Sequence, residues 1–235
     1  FQEGELPVIE LLNVLLANEL DAPGIKQRQL KISSCHYLNN GKIVGGDLLP
    51  LVMKLDDMPS PYLSSVCDKF LDGGLMPLMS TTRGCPFTCV FCQQGDEYFT
   101  CIRKFSLERV RAELQYIAQR TSSSSLMLAD SNFGMYAHDI DICKEIIAVK
   151  NQYGWPKFFH SALGKNNKAN IVKVVTAMQE AGIHIPLLAA VQSTDREVLK
   201  NIKRENVSLD FYFDLANTVN FKGVTGFSEV IVCLP

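Results

Sequence analysis

The sequence has neither a long apolar run nor a marked excess of charge of one sign. No hydrophobic segment reaches the roughly 18 consecutive residues that a membrane-spanning helix needs, so the sequence predicts no membrane segment. The 23 Lys and Arg residues nearly balance the 25 Asp and Glu residues, and the net charge is −2 at pH 7. This balance does not indicate nucleic acid as an obligatory partner.

The sequence also lacks a recognisable start. Residues Phe1–Glu5 include no initiator Met and no signal-peptide pattern, and we interpret the sequence as beginning inside a longer protein. Low complexity is limited to Ser122–Ser125, and no internal repeat is present. Hydrophobic residues make up 47% and charged residues 20%, which is the balance of a globular protein with a core.

Cysteine, by contrast, is both present and clustered. Three of the eight cysteines fall within eight consecutive positions, Cys85–Cys92. Disulfides would suit a small secreted protein, but this chain is neither small nor visibly secreted. The clustering therefore favours metal ligation in a reducing compartment, and we expect a cytoplasmic protein. The other five cysteines are expected to behave as small buried hydrophobes or bystanders.

The chain changes character twice. Residues 1–20 carry apolar residues at helical spacing. Residues 21–75 are interrupted by turn residues, and we expect a connector with a short hairpin around Asn40-Gly41. From residue 76 onward, predicted strands alternate with predicted helices. The strands are expected at 76–82, 125–129, 157–162, 185–191 and 229–234, and the helices at 106–120, 138–152, 168–182, 195–202 and 209–220.

This alternation predicts the fold class. Apolar strands separated by helices are typical of parallel βαβ units in α/β proteins. Five such strands favour an open or partial (β/α) barrel of parallel strands, in which functional groups gather at the C-terminal ends of the strands. The cysteine loop follows the first strand. The polar residues that directly follow the later strands are Asp130, Asn132, Ser161 and Gln192.

The spacing of Cys85, Cys89 and Cys92 suits one iron–sulfur cluster wrapped by a short loop. Thiolates are the standard ligands of such clusters. With three thiolates and four irons, one iron would stay open for a cofactor or substrate. Two other interpretations fit the same spacing. A structural zinc site would add Cys101 or a histidine as the fourth ligand, and a closed ferredoxin-type cluster would add Cys101.

Other charged and imidazole side chains give weaker signals. The four histidines are scattered and show no ligand spacing, so each is expected at the surface or in the core. The charged residues that follow the fourth predicted strand are expected to form a solvated face: Lys200, Lys203, Arg204 and Glu205. The alternative is that one of the basic residues contacts an anionic substrate.

The cysteine spacing, with Phe91 just before the last cysteine, resembles the hallmark of the radical S-adenosylmethionine (SAM) superfamily. The longer segment 81–87, Thr-Thr-Arg-Gly-Cys-Pro-Phe, is similar to the branch whose members carry an N-terminal cobalamin-binding domain. Similarity to this branch continues along nearly the whole chain. It is found downstream at 129–134, 191–195 and 228–235, and upstream at 3–5 and 57–62.

The resemblance implies the limits of the domains. Residues 1–20 would be the tail of an upstream cobalamin-binding-like domain, residues 21–75 the linker out of it, and residues 76–235 the radical SAM core. Barrels of this family usually have a sixth strand, whereas this sequence ends after the fifth predicted strand. We therefore expect a partial barrel that is truncated at its C-terminal side.

The resemblance also implies the cofactors. Cys85, Cys89 and Cys92 would hold a [4Fe–4S] cluster whose open iron chelates SAM. A reductase, a flavodoxin or a ferredoxin would supply the electron that cleaves SAM into methionine and a 5′-deoxyadenosyl radical. Cobalamin would be bound mainly by the upstream domain.

Five side chains would surround SAM if the resemblance holds. Phe91 would flank the adenine, Gln192 would bond to the ribose hydroxyls, and Ser161 is a further candidate after the third strand. Asp130 and Asn132 would orient the SAM amino group. They stand where the family commonly has a Gly-Gly-Glu stretch, so this contact would use different side chains.

The leading functional hypothesis is the core of a cobalamin-dependent radical SAM methyltransferase or a related radical enzyme acting on an unknown substrate. A radical SAM methylthiotransferase acting on RNA or protein is an alternative, but it would need a second cluster from an upstream three-cysteine domain. A third alternative is not an enzyme at all: an iron–sulfur electron carrier or a zinc-binding module.

Overall fold

The computed structural model describes residues 3–164, 167–186, 188–204, 210–211 and 227–235. The chain divides into two compact units, Phe1–Met53 and Lys54–Pro235. Among the helices in these ranges, none combines the length and the apolar character that crossing a membrane requires.

The N-terminal unit contains two helices and one hairpin: α1 (Glu5–Ala17), α2 (Ala22–Gln27), β1 (His36–Asn39) and β2 (Lys42–Gly45). The predicted hairpin is confirmed. Asn40 and Gly41 both have positive φ, 48° and 74°, as a tight two-residue hairpin turn requires. Helix α2 was not predicted. It begins where the Asp21 carboxylate accepts the Gly24 N–H at 2.9 Å, a cap that the surrounding turn residues obscured.

The second unit is built on parallel strands. Strands β3 (Leu78–Met79), β6 (Ser125–Leu128) and β7 (Phe158–His160) form a three-stranded parallel sheet in the order β3-β6-β7. Strands β8 (Leu188–Gln192) and β9 (Phe227–Val230) form a second parallel pair. The predicted partial barrel of parallel strands is confirmed, and the described strands do not close into a complete barrel.

Helices follow the strands as the alternation predicts: α3 (Leu107–Ala118), α4 (Ala137–Tyr153), α5 (Lys168–Glu180) and α6 (Arg196–Asn201). The Ser106 hydroxyl caps α3 by accepting the Arg109 N–H at 3.1 Å. Gly182, with φ of 70°, lies just beyond the end of α5 in the left-handed conformation that glycine adopts without strain.

The structure differs from the prediction at both ends of the strand series. The first predicted strand, 76–82, is two short strands, because the chain leaves the sheet at Ser80. Its second part, β4 (Thr82–Arg83), pairs antiparallel with β5 (Arg103–Lys104). The last strand begins two residues earlier than predicted and ends at Val230, so residues 231–234 are not in it. The helix predicted at 209–220 lies outside the described residues except for residues 210 and 211.

The core lies between the three-stranded sheet and helices α3, α4 and α5. The side chains of Phe133 and Phe159 meet there, with ring centroids 5.3 Å apart. Apolar side chains from all three helices and from β6 are completely buried around this pair: Leu114, Ile117, Leu126, Ile146, Ile171, Val175 and Met178. The core therefore fixes the C-terminal ends of β3, β6 and β7 relative to one another.

Two adjacent phenylalanines test this core. Phe159 is fully buried, whereas Phe158 is 43% exposed on the other face of the same strand. Phe159→Ala is expected to lower the free energy of unfolding by about 3–5 kcal/mol through the lost burial and the cavity left behind. Phe158→Ala is expected to cost about 1 kcal/mol or less. Urea unfolding measures both, and equal losses would contradict the assigned strand register.

Candidate functional site

The three clustered cysteines lie on a loop that is closed at its base by the β4–β5 pair. The Cys85 N–H donates to the Phe99 carbonyl at 2.8 Å, which draws the two ends of the loop together. Gly84 has φ of 108°, and a Cβ there would lie 2.6 Å from the Cys101 carbonyl oxygen. Only glycine therefore fits without distortion immediately before Cys85.

Tight turns continue through the rest of the loop. The Cys92 N–H donates to the Cys89 carbonyl at 3.1 Å, and the Gly95 N–H donates to the Cys92 carbonyl at 2.9 Å. A Cβ on Gly95 would collide with the Cys89 carbonyl. The backbone is thus folded back on itself between the second and third cysteines.

The sulfurs differ in exposure. Cys85 and Cys89 are buried, Cys101 is half-buried and Cys92 is exposed. Within the described ranges, no three Cys, His, Asp or Glu side chains stand close enough together to hold a metal ion. The shared binding of one cluster by Cys85, Cys89 and Cys92 therefore stays a prediction. Three thiols on one short loop are nevertheless the donor set that an iron–sulfur cluster requires.

Two buried side chains donate hydrogen bonds toward cysteine sulfurs. Asn132 Nδ2 is 3.3 Å from Cys85 Sγ. Arg204 Nη1 is 3.9 Å from Cys89 Sγ, and the Arg204 guanidinium also donates to the Ala190 carbonyl. Hydrogen bonds from a second layer of residues commonly orient the side chains that bind a metal centre. The surroundings of both buried cysteines therefore fit a cluster.

Asp130 has a different environment from the one expected. Its carboxylate accepts the Thr81 N–H at 2.7 Å and the Thr82 N–H at 3.2 Å, and it also accepts the hydroxyls of Thr81 and Ser80. Burial raises the pKa of Asp130 above its ordinary value, although these hydrogen bonds oppose the rise. The carboxylate thus joins the end of β6 to the start of the cysteine loop. A contact between Asp130 and the SAM amino group stays a prediction.

A second polar group lies behind the loop. His138 Nε2 is 2.8 Å from the Thr82 hydroxyl and 3.2 Å from Asp139 Oδ1. Burial, with Lys104 nearby, lowers the pKa of His138 to about 4, and burial raises the pKa of Asp139 to about 6. At neutral pH the pair is therefore a neutral imidazole beside a carboxylate. Sequence reasoning missed this group because the histidines show no spacing that marks a site.

The remaining predicted residues lie at strand ends or on the loop. Ser161 Oγ and Asn132 Oδ1 are buried and have no hydrogen-bond partner among the described residues. Gln192 is 9% exposed, and its φ of 64° places it in the left-handed region at an irregularity of β8. Unpaired buried polar atoms and left-handed backbone at non-glycine residues are common where proteins bind ligands.

Phe91 is half-buried on the cysteine loop, and the Arg204 guanidinium lies 5.9 Å from the centre of its ring. Arg204 was expected on a solvated face, and this prediction is wrong, because only 6% of the residue is exposed. The arginine turns inward since Cys89, Phe91 and the Ala190 carbonyl provide its contacts. Sequence spacing gives no sign of a partner 115 positions away.

Fold and site together define an α/β protein with a cysteine loop at the C-terminal edge of a parallel sheet. Residues 79–235 match the family model of the radical SAM superfamily. The chain therefore belongs to the radical SAM superfamily, whose members use a [4Fe–4S] cluster and SAM.

Two curated relatives are similar over 99% of this chain. One is a cobalamin-dependent radical SAM methyltransferase of Streptomyces tokunonensis, TokK, with 29% identity over 242 residues. The other is a 2-(S-pantetheinyl)-carbapenam-3-carboxylate methyltransferase of Streptantibioticus cattleyicolor, with 28% identity over 242 residues. The chain spans 34% of each of these relatives, that is, about a third of their length.

Solved structures agree with the fold. The cobalamin-dependent SAM radical enzyme OxsB, with aqua-cobalamin and SAM bound, matches 97% of this chain and 32% of its own at a TM-score of 0.64 and 19% identity. The radical SAM methyltransferase TsrM from Kitasatospora setae matches 71% of this chain and 32% of its own at a TM-score of 0.57 and 16% identity. At these identities the likeness establishes the fold of the core.

The anchoring role of Asp130 can be tested by stability. Asp130→Ala is expected to lower the free energy of unfolding by about 3 kcal/mol or more, because each buried donor left unpaired costs about 1–3 kcal/mol. Ser131→Ala is the control, since it removes one hydrogen bond to Gln94 and is expected to cost about 1 kcal/mol. Urea unfolding compares them. A loss for Asp130→Ala no larger than that of the control would contradict the anchoring role.

Proposed function

We propose that this chain is the radical core of a cobalamin-dependent radical SAM methyltransferase, with its cluster on Cys85, Cys89 and Cys92. The observation that carries the proposal is the pair of buried donors, Asn132 and Arg204, aimed at two of these three sulfurs. Neither donor would be expected beside structural cysteines of an apolar core, because burying an amide or a guanidinium is costly without a polar purpose.

Different residues of the chain are proposed to bind the cluster and to support its ligands. Cys85, Cys89 and Cys92 hold the cluster as thiolates, and Asn132 and Arg204 stabilise the negative charge on sulfur. When bound, the cluster and SAM supply one-electron cleavage of the SAM carbon–sulfur bond. The protein contributes binding, orientation and exclusion of water.

The SAM-binding side chains belong to the same proposal. Phe91 on the loop and Gln192 at the end of β8 are proposed to contact the adenosine part of SAM. The unpaired oxygen of Asn132 is proposed to accept a hydrogen bond from the SAM amino group, and the unpaired hydroxyl of Ser161 is proposed as a further contact to SAM. We propose that Asp130 supports these contacts indirectly, because its carboxylate holds the start of the cysteine loop by accepting the Thr81 and Thr82 N–H groups.

Cobalamin dependence is proposed from the named relatives. TokK is described as cobalamin-dependent and OxsB was solved with aqua-cobalamin. Both named curated relatives are methyltransferases, which favours methyl transfer over methylthio transfer. Cobalamin is proposed to bind mainly to an upstream domain whose tail is residues 1–20, with residues 21–75 as the linker.

The proposed chemistry also needs a partner and a compartment. Radical SAM enzymes need an electron donor, and a reductase, a flavodoxin or a ferredoxin is proposed for this protein. A cluster with an open iron is sensitive to oxidants. A reducing cytoplasm is therefore the proposed location.

Cysteine variants test the cluster. Cys85→Ala, Cys89→Ala and Cys92→Ala are each expected to lose most of the bound iron and sulfide and all cleavage of SAM, because each removes one of three ligands. Cys101→Ser is the matched control on the same loop and is expected to retain both. Iron and sulfide analysis of anaerobically reconstituted protein measures the cluster content, and formation of 5′-deoxyadenosine measures the cleavage of SAM.

Electron paramagnetic resonance completes this test. The signal of the dithionite-reduced cluster is expected to change when SAM is added, because SAM would bind the open iron. A cluster lost in Cys101→Ser, or a reduced cluster indifferent to SAM, would favour an electron carrier. Zinc in place of iron in the protein as isolated from cells would reject the radical mechanism.

Cobalamin is tested on the full-length protein. Full-length protein purified from cells supplied with cobalamin is expected to retain an equimolar amount, visible in its absorption spectrum. Truncation to residues 54–235, the second compact unit, is expected to abolish this retention, since the proposed binding domain lies upstream. Cluster-loaded full-length protein that retains no cobalamin would reject cobalamin dependence and leave the radical SAM assignment intact.

A further inference from the structure

A groove of about 400 Å³ lies beside the cysteine loop. One wall is formed by residues 86–88, which lie between the first two clustered cysteines. The other wall is formed by Leu199, Lys200, Lys203 and Arg204, at the end of α6 and just after it. We refer to these residues as the basic groove.

The basic groove carries positive charge on a chain whose net charge is −2. The side chains of Lys200 and Lys203 are exposed, and neither forms an ion pair with a described residue. Pro86 is exposed and Phe87 is half-buried, so apolar surface lies beside the charges. A small apolar surface beside positive charges is suited to a transient contact with an acidic protein.

The basic groove is directly connected to the cysteine loop. Arg204 Nη1 lies 3.9 Å from Cys89 Sγ, so one residue of the groove wall approaches a cysteine sulfur. The Val90 N–H donates to the Ile202 carbonyl at 3.2 Å, which holds the segment after α6 against the loop. Val90 itself is 56% exposed. A protein docked here would therefore be separated from Cys89 by little more than one side chain.

From this juxtaposition we infer that the basic groove is the docking surface of the electron donor, and that the donor is a small acidic one-electron carrier protein. This inference rests on the proposed function. One electron leaves the reduced donor and enters the cluster, whose charge changes from 2+ to 1+. The donor is oxidised by one electron, and no covalent bond forms or breaks.

The size and charge of the surface favour this occupant. Complexes between redox proteins are weak and small, burying less than about 1,200 Å² in total, because the donor must leave after each electron. Complementary charge raises the association rate of such complexes at low salt. The contact of Arg204 with Cys89 also places a wall of the groove beside one of the proposed cluster ligands.

Charge reversal tests the surface. Full-length Lys200→Glu/Lys203→Glu is expected to be reduced by a purified flavodoxin hydroquinone at least about tenfold more slowly than wild type at low ionic strength. The wild-type rate is expected to fall with added salt, whereas the variant rate should rise, because salt screens the repulsion between the new carboxylates and the acidic donor. Stopped-flow absorbance of the cluster measures both rates. Reduction by dithionite, a small molecule that needs no docking surface, is expected to be unchanged.

A matched control separates local from overall charge. Lys157→Glu/Lys173→Glu changes the net charge by the same amount at two exposed lysines of the same unit that do not line the groove. It is expected to be reduced by flavodoxin at close to the wild-type rate. Equal slowing of both double variants would overturn the inference, because net charge would then explain the effect.

Other outcomes also decide the question. An unchanged rate of reduction by flavodoxin in Lys200→Glu/Lys203→Glu would overturn the inference. The same unchanged rate is expected if another part of the full-length chain covers the groove, and the inference is then also wrong. If reduction by dithionite also slows, the charge-reversal variant is replaced by Lys200→Gln/Lys203→Gln. This variant must then be reduced more slowly than wild type by flavodoxin and at the wild-type rate by dithionite. Failure of the proposed function is distinct, since wild-type protein would then hold no cluster that dithionite reduces.

Discussion

The candidate site depends on one buried carboxylate. Asp130, at the end of β6, accepts the backbone N–H groups of Thr81 and Thr82, so that the chain leaves the sheet where the cysteine loop begins. Because it is fixed by several hydrogen bonds to backbone and hydroxyl groups, this carboxylate cannot move without leaving buried donors unpaired. The cysteine loop is therefore attached to the sheet that packs through the buried core against α3, α4 and α5.

A second set of contacts reaches the loop from a distant part of the chain. Arg204 and Ile202, both just after α6, contact Cys89 and Val90. The cysteine loop is thus held on one side by β6 and on the other by the segment after β8 and α6. An iron–sulfur site gains from such support, because donors to the thiolates tune the potential of a cluster. Lys200 of α6 and Lys203 just after it are the two exposed lysines of the basic groove.

Much of the fold could be predicted from the sequence because it depends on local pattern. The alternation of apolar strands and amphipathic helices gave the parallel α/β class, Ser106 marked the start of α3, and Asn40-Gly41 marked the hairpin. The limits of the first and last strands were wrong. Pairing of Thr82–Arg83 with Arg103–Lys104 interrupts the first strand, and no local pattern records a pairing between residues 20 and 22 positions apart.

The sequence by itself determined the family, and it marked Cys85, Cys89 and Cys92 as the predicted cluster ligands, because residue type and spacing are chemical properties of a short segment. It also determined that polar residues follow the strands, since strand ends can be found from the apolar runs. Only the tertiary structure decided what those residues touch. Asp130 bonds to backbone, Asn132 donates to Cys85, and Arg204 turns inward to Cys89. The residues in these contacts are separated by 47 to 115 positions in the chain. Such contacts arise from tertiary packing, which the spacing of residues within one segment does not predict.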